Sequence, residues 1–273
     1  MTGYDAFNEY ERTMWSSPRA AAYDRGLVGL TSSMAEPLLD AVEARSGTRL
    51  LDVGTGPGVV AKAAVSRGCA VVGVDVSPQM LELARTNVPE AEFREGSAES
   101  LPANTADFDA VVGNFIVLHL GYPDRLAAES ARVLRPGGRV AFTVWVEGTR
   151  NRALSIFRDA LTRAEVAAPT DIPEGPLSVM FADHAAFRGL LEGAGFVDVR
   201  IEEHDWTFTV DPAEWWEATV SSTPRTGALI SRQPSDIQAR LHATYNDMIQ
   251  EHRNADGTAT LAAAAVLASG RRR

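Results

Sequence analysis

Residues 49–68, RLLDVGTGPGVVAKAAVSRG, constrain the fold more than any other stretch. An apolar run ends at Asp52-Val53, glycines follow at Gly54, Gly56 and Gly58, and a helix-forming segment begins at once. Glycine permits left-handed turns and a close approach of backbone to ligand. A strand delivered into such a turn, with a helix beyond it, opens a βαβ unit, and that unit demands a parallel sheet with helices on its faces.

The rest of the first half repeats the rhythm. Strands are expected at RLLDV (49–53), AVVGVD (70–75), AEFREG (91–96), DFDAVVGNF (107–115) and RVAFTVWV (139–146). Helices are expected from about Pro57 to Arg67, from Pro78, and over PDRLAAESARVL, where Leu126, Ser130, Val133 and Leu134 share a face and Pro136-Gly137-Gly138 marks the end. Short, continuous apolar strands of this kind belong to a sheet covered on both faces. With 273 residues, 45% of them hydrophobic, the chain can build one sizeable α/β core. Residues 1–45 read as amphipathic helix, with Tyr4, Phe7, Tyr10, Trp15 and Tyr23 spread through them.

After Val146 the alternation breaks. A helix is expected over 151–167, followed by the Pro/Gly-rich loop APTDIPEGPLS. The α/β pattern resumes with the helix DHAAFRGLLEGAG, N-capped by Asp183, and the strand FVDVRIEE. Residues 211–253 return to helix, and TLAAAAVLASG (260–270), helical by composition, is assigned as a final strand. The reading is a single domain with its core at about 45–146, 183–210 and 258–270. The N-terminal segment 1–45 and the insertions 147–182 and 211–256 are expected to cap its ligand site.

The glycine turn fits neither common phosphate loop. A dinucleotide fingerprint needs glycine at the sixth position, where Val59 stands, and no glycine–lysine–hydroxyl run exists. Asp75 ends the second strand about 20 residues beyond the turn, where a carboxylate accepts hydrogen bonds from ribose hydroxyls. Turn and acid together point to a nucleoside ligand without a diphosphate.

Five segments, LLDVGTGPG (50–58), VVGVDVSPQML (71–81), GSAESLP (96–102), FDAVV (108–112) and ARVLRPGGRV (131–140), together resemble a class I S-adenosylmethionine-dependent methyltransferase. The similarity is to the small-molecule branch that includes the ubiquinone and menaquinone C-methyltransferases, and it covers about residues 45–146. It implies a doubly wound, Rossmann-like sheet of seven strands in the order 3-2-1-4-5-7-6, with strand seven antiparallel. It implies S-adenosyl-L-methionine as cofactor. Carried over, Gly54, Thr55, Gly56 and Gly58 would pass beneath the methionine part, and Asp75 would hold the ribose. Val76 and Met80 would pack on the adenine, and Ser97 and Ala98 would meet its edge, Ser97 standing where the family commonly has Asp. Asn114 would supply backbone near the sulfonium, and Tyr23 would reach the cofactor from the N-terminal segment.

Methyl transfer from a sulfonium needs alignment and exclusion of water, and a base only where the nucleophile keeps its proton. His119, in NFIVLHL just past the fourth strand, is the candidate base; a histidine bonded within that loop is its other reading. Glu147, His184, His204 and Asp205 are weaker candidates, and Trp145 reads either as core or as cavity wall. Adjacent Trp215 and Trp216 cannot both face inward.

A net charge of −10 argues against tracking nucleic-acid phosphates, and the aromatic and aliphatic content suits an apolar or aromatic small-molecule substrate. The five histidines show no metal-ligand spacing, so no metal is expected. The single Cys69, the absence of an apolar run in residues 1–20 and the absence of a membrane-length apolar stretch fit a cytoplasmic protein with no membrane partner. Whether it forms a homo-oligomer is open. The alternative function is a cofactor-binding protein on the same fold that acts as a non-methylating cyclase or isomerase, or as a regulatory binder.

Overall fold

The computed structural model describes residues 3–15, 19–166, 172–176 and 178–273. Along the chain run α1 (Gly3–Trp15), α2 (Arg19–Gly26), α3 (Val28–Thr31), α4 (Ala35–Ala41), β1 (Arg49–Val53), α5 (Val59–Ser66), β2 (Ala70–Asp75), α6 (Pro78–Asn87), β3 (Glu92–Glu95) and β4 (Phe108–Gly113). Next come α7 (Pro123–Val133), β5 (Leu134–Trp145), α8 (Arg152–Arg163), α9 (His184–Gly193) and β6 (Phe196–Val210). The described chain closes with α10 (Pro212–Ser222), α11 (Thr226–Ser231), α12 (Ser235–Ile249) and β7 (Ala259–Arg272).

One seven-stranded sheet has the order β3-β2-β1-β4-β5-β7-β6. β1 to β5 pair in parallel, and β7 runs antiparallel to both β5 and β6. Alternate residues of β1 face opposite ways. Leu51 and Val53 join Leu126 and Val133 of α7 and Phe187 and Leu191 of α9 on one face. Leu50 joins Leu38 and Leu39 of α4, Val60 and Ala64 of α5, and Leu81 of α6 on the other. Among the described residues no helix is long and apolar enough to cross a membrane.

Several boundaries differ from the sequence reading; α8, expected to reach 167, ends at Arg163, and two others alter the sheet. α7 stops at Val133, and β5 begins immediately, since Leu134 already pairs with Phe108. The next pair in register is Ala110 with Arg139, so Pro136-Gly137-Gly138 lies in a bulge of β5 rather than in a helix-ending loop. β6 does not stop at Glu203 but continues to Val210, paired along its whole outer half with β7 from Ala259 to Val266. Positions 168–171 and 177 of the Pro/Gly-rich loop lie outside the described residues.

The long β6–β7 ribbon explains where the insertions go. Its outer half presents Phe208, Leu261 and Ala263 to a third apolar cluster with Ile156 and Phe157 of α8, Trp215 of α10, Ile230 of α11, and Leu241 and Tyr245 of α12. Trp215 is fully buried, and its indole N–H donates to the Ala153 carbonyl at 2.9 Å. Trp216 is half-buried between His242 on one side and Phe157 and Tyr245 of the same cluster on the other, so, against expectation, both tryptophans contact the cluster and only Trp215 is fully buried in it. Side chains at caps set the helix starts: Asp183 accepts from Ala186 N and Asp211 from Ala213 N and Glu214 N.

Candidate functional site

A cavity of about 310 Å³ opens at the carboxyl ends of β1, β2 and β4, where the strand order reverses between β1 and β4. Its floor is the glycine turn. Gly54 N and Thr55 N both donate to the Val74 carbonyl, tying the turn to β2. Gly54 has φ +68, and a Cβ there would lie 2.6 Å from Ile116 Cδ1. Gly56 has φ +54, and a Cβ there would meet nothing within 4 Å, so this residue leaves open space at the cavity wall.

Two carboxyl groups sit beside the turn. Asp75 accepts from Gly56 N at 2.9 Å through Oδ2 and from Ser77 N at 2.9 Å through Oδ1. Withdrawal from solvent pushes its carboxyl above the usual range, and the backbone donors of Ser77 and Gly56 pull it back. Asp52 is buried at the end of β1 and accepts from Thr55 Oγ1 at 2.7 Å. Burial pushes it up to about 7, against the opposing hydrogen bond from Thr55.

That shift fixes the sign of a pH effect. Between about pH 4 and pH 7 the folded protein holds a proton on Asp52 that the unfolded chain has released. Stability of the ligand-free protein therefore falls as pH rises through this window, by on the order of 4 kcal/mol at most from this group. Asp52→Asn should flatten that part of the profile. Urea denaturation at pH 5 and pH 8 on both proteins checks it; the same pH dependence in the variant would assign the effect elsewhere.

The roof is α1, fastened by side chains to the loops after β3 and β4. Asn8 Oδ1 accepts from Gly121 N at 2.6 Å, and Asn8 Nδ2 donates to Glu99 at 2.8 Å. Tyr122 Oη donates to Asp5 at 2.9 Å. Glu11 Oε2 meets both Trp15 Nε1 at 3.1 Å and His119 Nδ1 at 3.0 Å. Trp15 closes the end, its carbonyl accepting from Ser77 Oγ at 2.8 Å. Phe115, in the back wall, has φ +58, a strained setting for a phenylalanine. Its N–H donates to Thr143 Oγ1 at 2.9 Å, and its ring stacks on Trp145 at 3.6 Å between centroids.

Of the residues expected from sequence, Tyr23, Gly54, Thr55, Gly56, Asp75, Val76, Met80, Ser97, Ala98, Asn114 and His119 all line this one cavity. Gly58 does not. It caps α5 in the left-handed conformation at φ +91, and a Cβ there would press on Val88 Cγ2 at 3.0 Å, so the residue serves the packing of α5 on α6. Trp145 lies behind Phe115 and does not line the cavity. Glu147 pairs with Arg158, His184 with Glu203, and Asp205 with Arg150, all exposed and outside the lining.

The insertions also differ from expectation. No described residue of 147–182 or 211–256 lines the cavity. Their helices α8, α10, α11 and α12 cover the outer β6–β7 ribbon, while Gly175 lies against the Phe7 ring of α1 and Phe181 joins the first apolar cluster. Their link to the site is indirect: Arg19 of α2 donates to the carbonyls of Ser221 and Thr223 at the end of α10, and Tyr10 Oη donates to the Pro224 carbonyl at 2.8 Å. Sequence reasoning passed over Asp52, Glu11, Trp15 and Glu99, all in the wall. Asp52 was the legible one, ending the first strand directly before the glycines; the others reveal themselves only through contacts far along the chain.

The methyltransferase domain family matches residues 51–142. The malonyl-[acyl-carrier protein] O-methyltransferase of Enterobacter lignolyticus is 31% identical over 193 residues, which cover 65% of this chain and 76% of that protein. The demethylmenaquinone methyltransferase of Renibacterium salmoninarum is 29% identical over 154 residues, 56% of this chain and 65% of that one. The chain spans 66% of the length of three further curated relatives, at 31% identity. Among solved structures, a phosphoethanolamine N-methyltransferase of Haemonchus contortus in complex with S-adenosyl-L-methionine superposes with a TM-score of 0.53 at 20% identity, covering 88% of this chain and 53% of that one. That likeness concerns the fold.

Proposed function

Since this chain belongs to the class I S-adenosylmethionine-dependent methyltransferases, we propose that it methylates a small molecule held beneath α1. Its cofactor is S-adenosylmethionine. The observation that carries the proposal is the open glycine turn and the Asp75 carboxylate facing one roofed cavity.

The residues present fit that cofactor. The space a Cβ would fill at Gly56 admits a ligand against the backbone, and Asp75 keeps lone pairs for ribose hydroxyls beyond those taken by Gly56 N and Ser77 N. Met80, Val76 and Ala98 offer an apolar wall for a base, with Ser97 at its edge. Asn114, held by a bond from its Nδ2 to the Thr31 carbonyl and one from Thr143 Oγ1, fixes the backbone at the end of β4. When bound, S-adenosylmethionine supplies a methyl group on an already activated leaving group. The chain's own task is to align the acceptor and exclude water, which the roof of α1 and the aromatic walls of Trp15, Tyr23 and Phe115 are built to do. Those rings, with Ile116 and Leu120, favour an apolar or aromatic acceptor. His119, in the same wall, is the proposed general base.

Incubating the protein with methyl-tritiated cofactor and a metabolite extract tests this reading. The expected result is label in the small-molecule fraction with matching release of S-adenosylhomocysteine. Label confined to protein, or tight cofactor binding with no transfer to any fraction, would contradict it.

A further inference from the structure

Glu11 is a buried carboxylate in an amphipathic helix. It is 3% exposed, projects from α1 into the cavity wall, and gathers two N–H groups on one oxygen. One is the Trp15 indole at 3.1 Å, the other His119 Nδ1 at 3.0 Å. A carboxylate oxygen accepts and does not donate, so the ring proton of His119 sits on Nδ1. The lone pair of the neutral imidazole is then on Nε2. The Trp15 ring stands edge-on to the imidazole, 5.2 Å between centroids at 88°, and stops it from turning. Tautomer and plane are both fixed by two residues of the N-terminal helix, 108 and 104 positions away in sequence.

We propose that Glu11 is a positioning residue that holds His119 as a general base, and that the acceptor atom is a hydroxyl oxygen of a phenol or alcohol. This rests on the methyltransferase reading above and deepens it. A neutral amine attacks a sulfonium through a lone pair it already has, and an enolate through charge it already carries. A hydroxyl is a poor nucleophile until its proton leaves, and a base oriented by a buried carboxylate is the device that removal requires. In the step, Nε2 of His119 takes the hydroxyl proton while the oxygen forms its bond to the methyl carbon. The carbon–sulfur bond breaks and its electron pair stays on sulfur. The products are a methyl ether, S-adenosylhomocysteine and an imidazolium facing the Glu11 carboxylate, which returns its proton to water.

Two measurements test this. The first needs no substrate. In protein labelled with ¹⁵N in its imidazoles, the two-bond ¹H–¹⁵N spectrum of neutral His119 should show the proton on Nδ1, and Glu11→Met, which cannot accept, should move population to the Nε2–H form. A wild-type ring protonated on Nε2 would overturn the proposal.

The second uses tritiated cofactor with a panel of phenols and alcohols and their matching amines. Wild-type protein should form methyl ethers, and Glu11→Met should lower turnover at saturating cofactor by roughly 10²-fold or more. S-adenosylhomocysteine affinity, read by calorimetry, should change by less than about 3-fold. Glu11→Gln, which keeps an acceptor oxygen for both N–H groups, should recover the tautomer and part of the rate. Transfer to amines alone would overturn this inference and leave the methyltransferase reading standing. A loss confined to cofactor affinity, with turnover at saturation unchanged, would overturn the positioning role. Transfer to neither class, by protein that binds S-adenosylhomocysteine and also labels nothing in the metabolite extract, would count against the methyltransferase reading itself.

Discussion

Asp75→Ala should weaken S-adenosylhomocysteine binding by roughly 10²–10⁴-fold. The carboxylate stands at the end of β2 with one oxygen on Gly56 N and the other on Ser77 N. On the proposed reading, its remaining lone pairs accept from the ribose hydroxyls. Two hydrogen bonds to a charged acceptor contribute about 1.5–3 kcal/mol each, which sets the range. The alanine variant also frees two backbone N–H groups at the cavity floor, so the glycine turn loses its tie to β2 on that side. Asp75→Asn, which keeps an acceptor for one of these N–H groups, should fall between alanine and wild type. Calorimetric titration of the three proteins, each checked for folding by thermal unfolding, gives the answer. Unchanged affinity in a folded alanine variant would remove Asp75 from the site.

Trp215→Ala should cost about 3–5 kcal/mol of stability while leaving that affinity within about 3-fold of wild type. The indole is 0% exposed, contacts Phe208 and Phe157 edge-on at 4.9 and 6.2 Å between centroids, and gives its N–H to the Ala153 carbonyl. Its removal opens a large void and takes away the indole hydrogen bond to the Ala153 carbonyl. Yet no described residue of α10 lines the cavity; α10 packs on α2, with Ala218 against Gly26 and the carbonyls at its end held by Arg19. Denaturant unfolding with calorimetry on the folded variant separates the two effects. A large loss of affinity at unchanged stability would restore the insertion to the site as a lid.

The contrast between these residues shows what a sequence discloses. β1, β2, β4 and the Val140–Val144 part of β5 are buried on both faces, so they read as largely apolar runs, and the glycine turn between β1 and α5 needs backbone angles that favour one residue type. Both signals are local. So is Asp75, which follows from its distance past the turn. The outer half of β6, HDWTFTV, mixes charges with aromatics because one side faces solvent, and it carries no such mark. The aromatic and aliphatic content of 211–256 reads as suiting an apolar ligand beneath a cap. It could not say that the surface covered is the β6–β7 ribbon rather than the cavity, because the ribbon's length was itself unread. Gly58 shows the same limit at one residue: it shares the turn with Gly54 and Gly56, but its strain is spent on capping α5 against α6. Glu11 is the extreme case. In an amphipathic helix that also carries Glu9, nothing local marks Glu11 as buried, and its meeting with His119 across 108 residues shows in the structure alone.

A crystal structure with S-adenosylhomocysteine bound tests the central claim most directly. The ligand should lie in the cavity under α1, with its ribose hydroxyls on Asp75, its base between Met80 and Ala98, and its methionine portion along Gly54 and Gly56. Density for the ligand at any other place, or a ribose turned away from Asp75, would contradict the account.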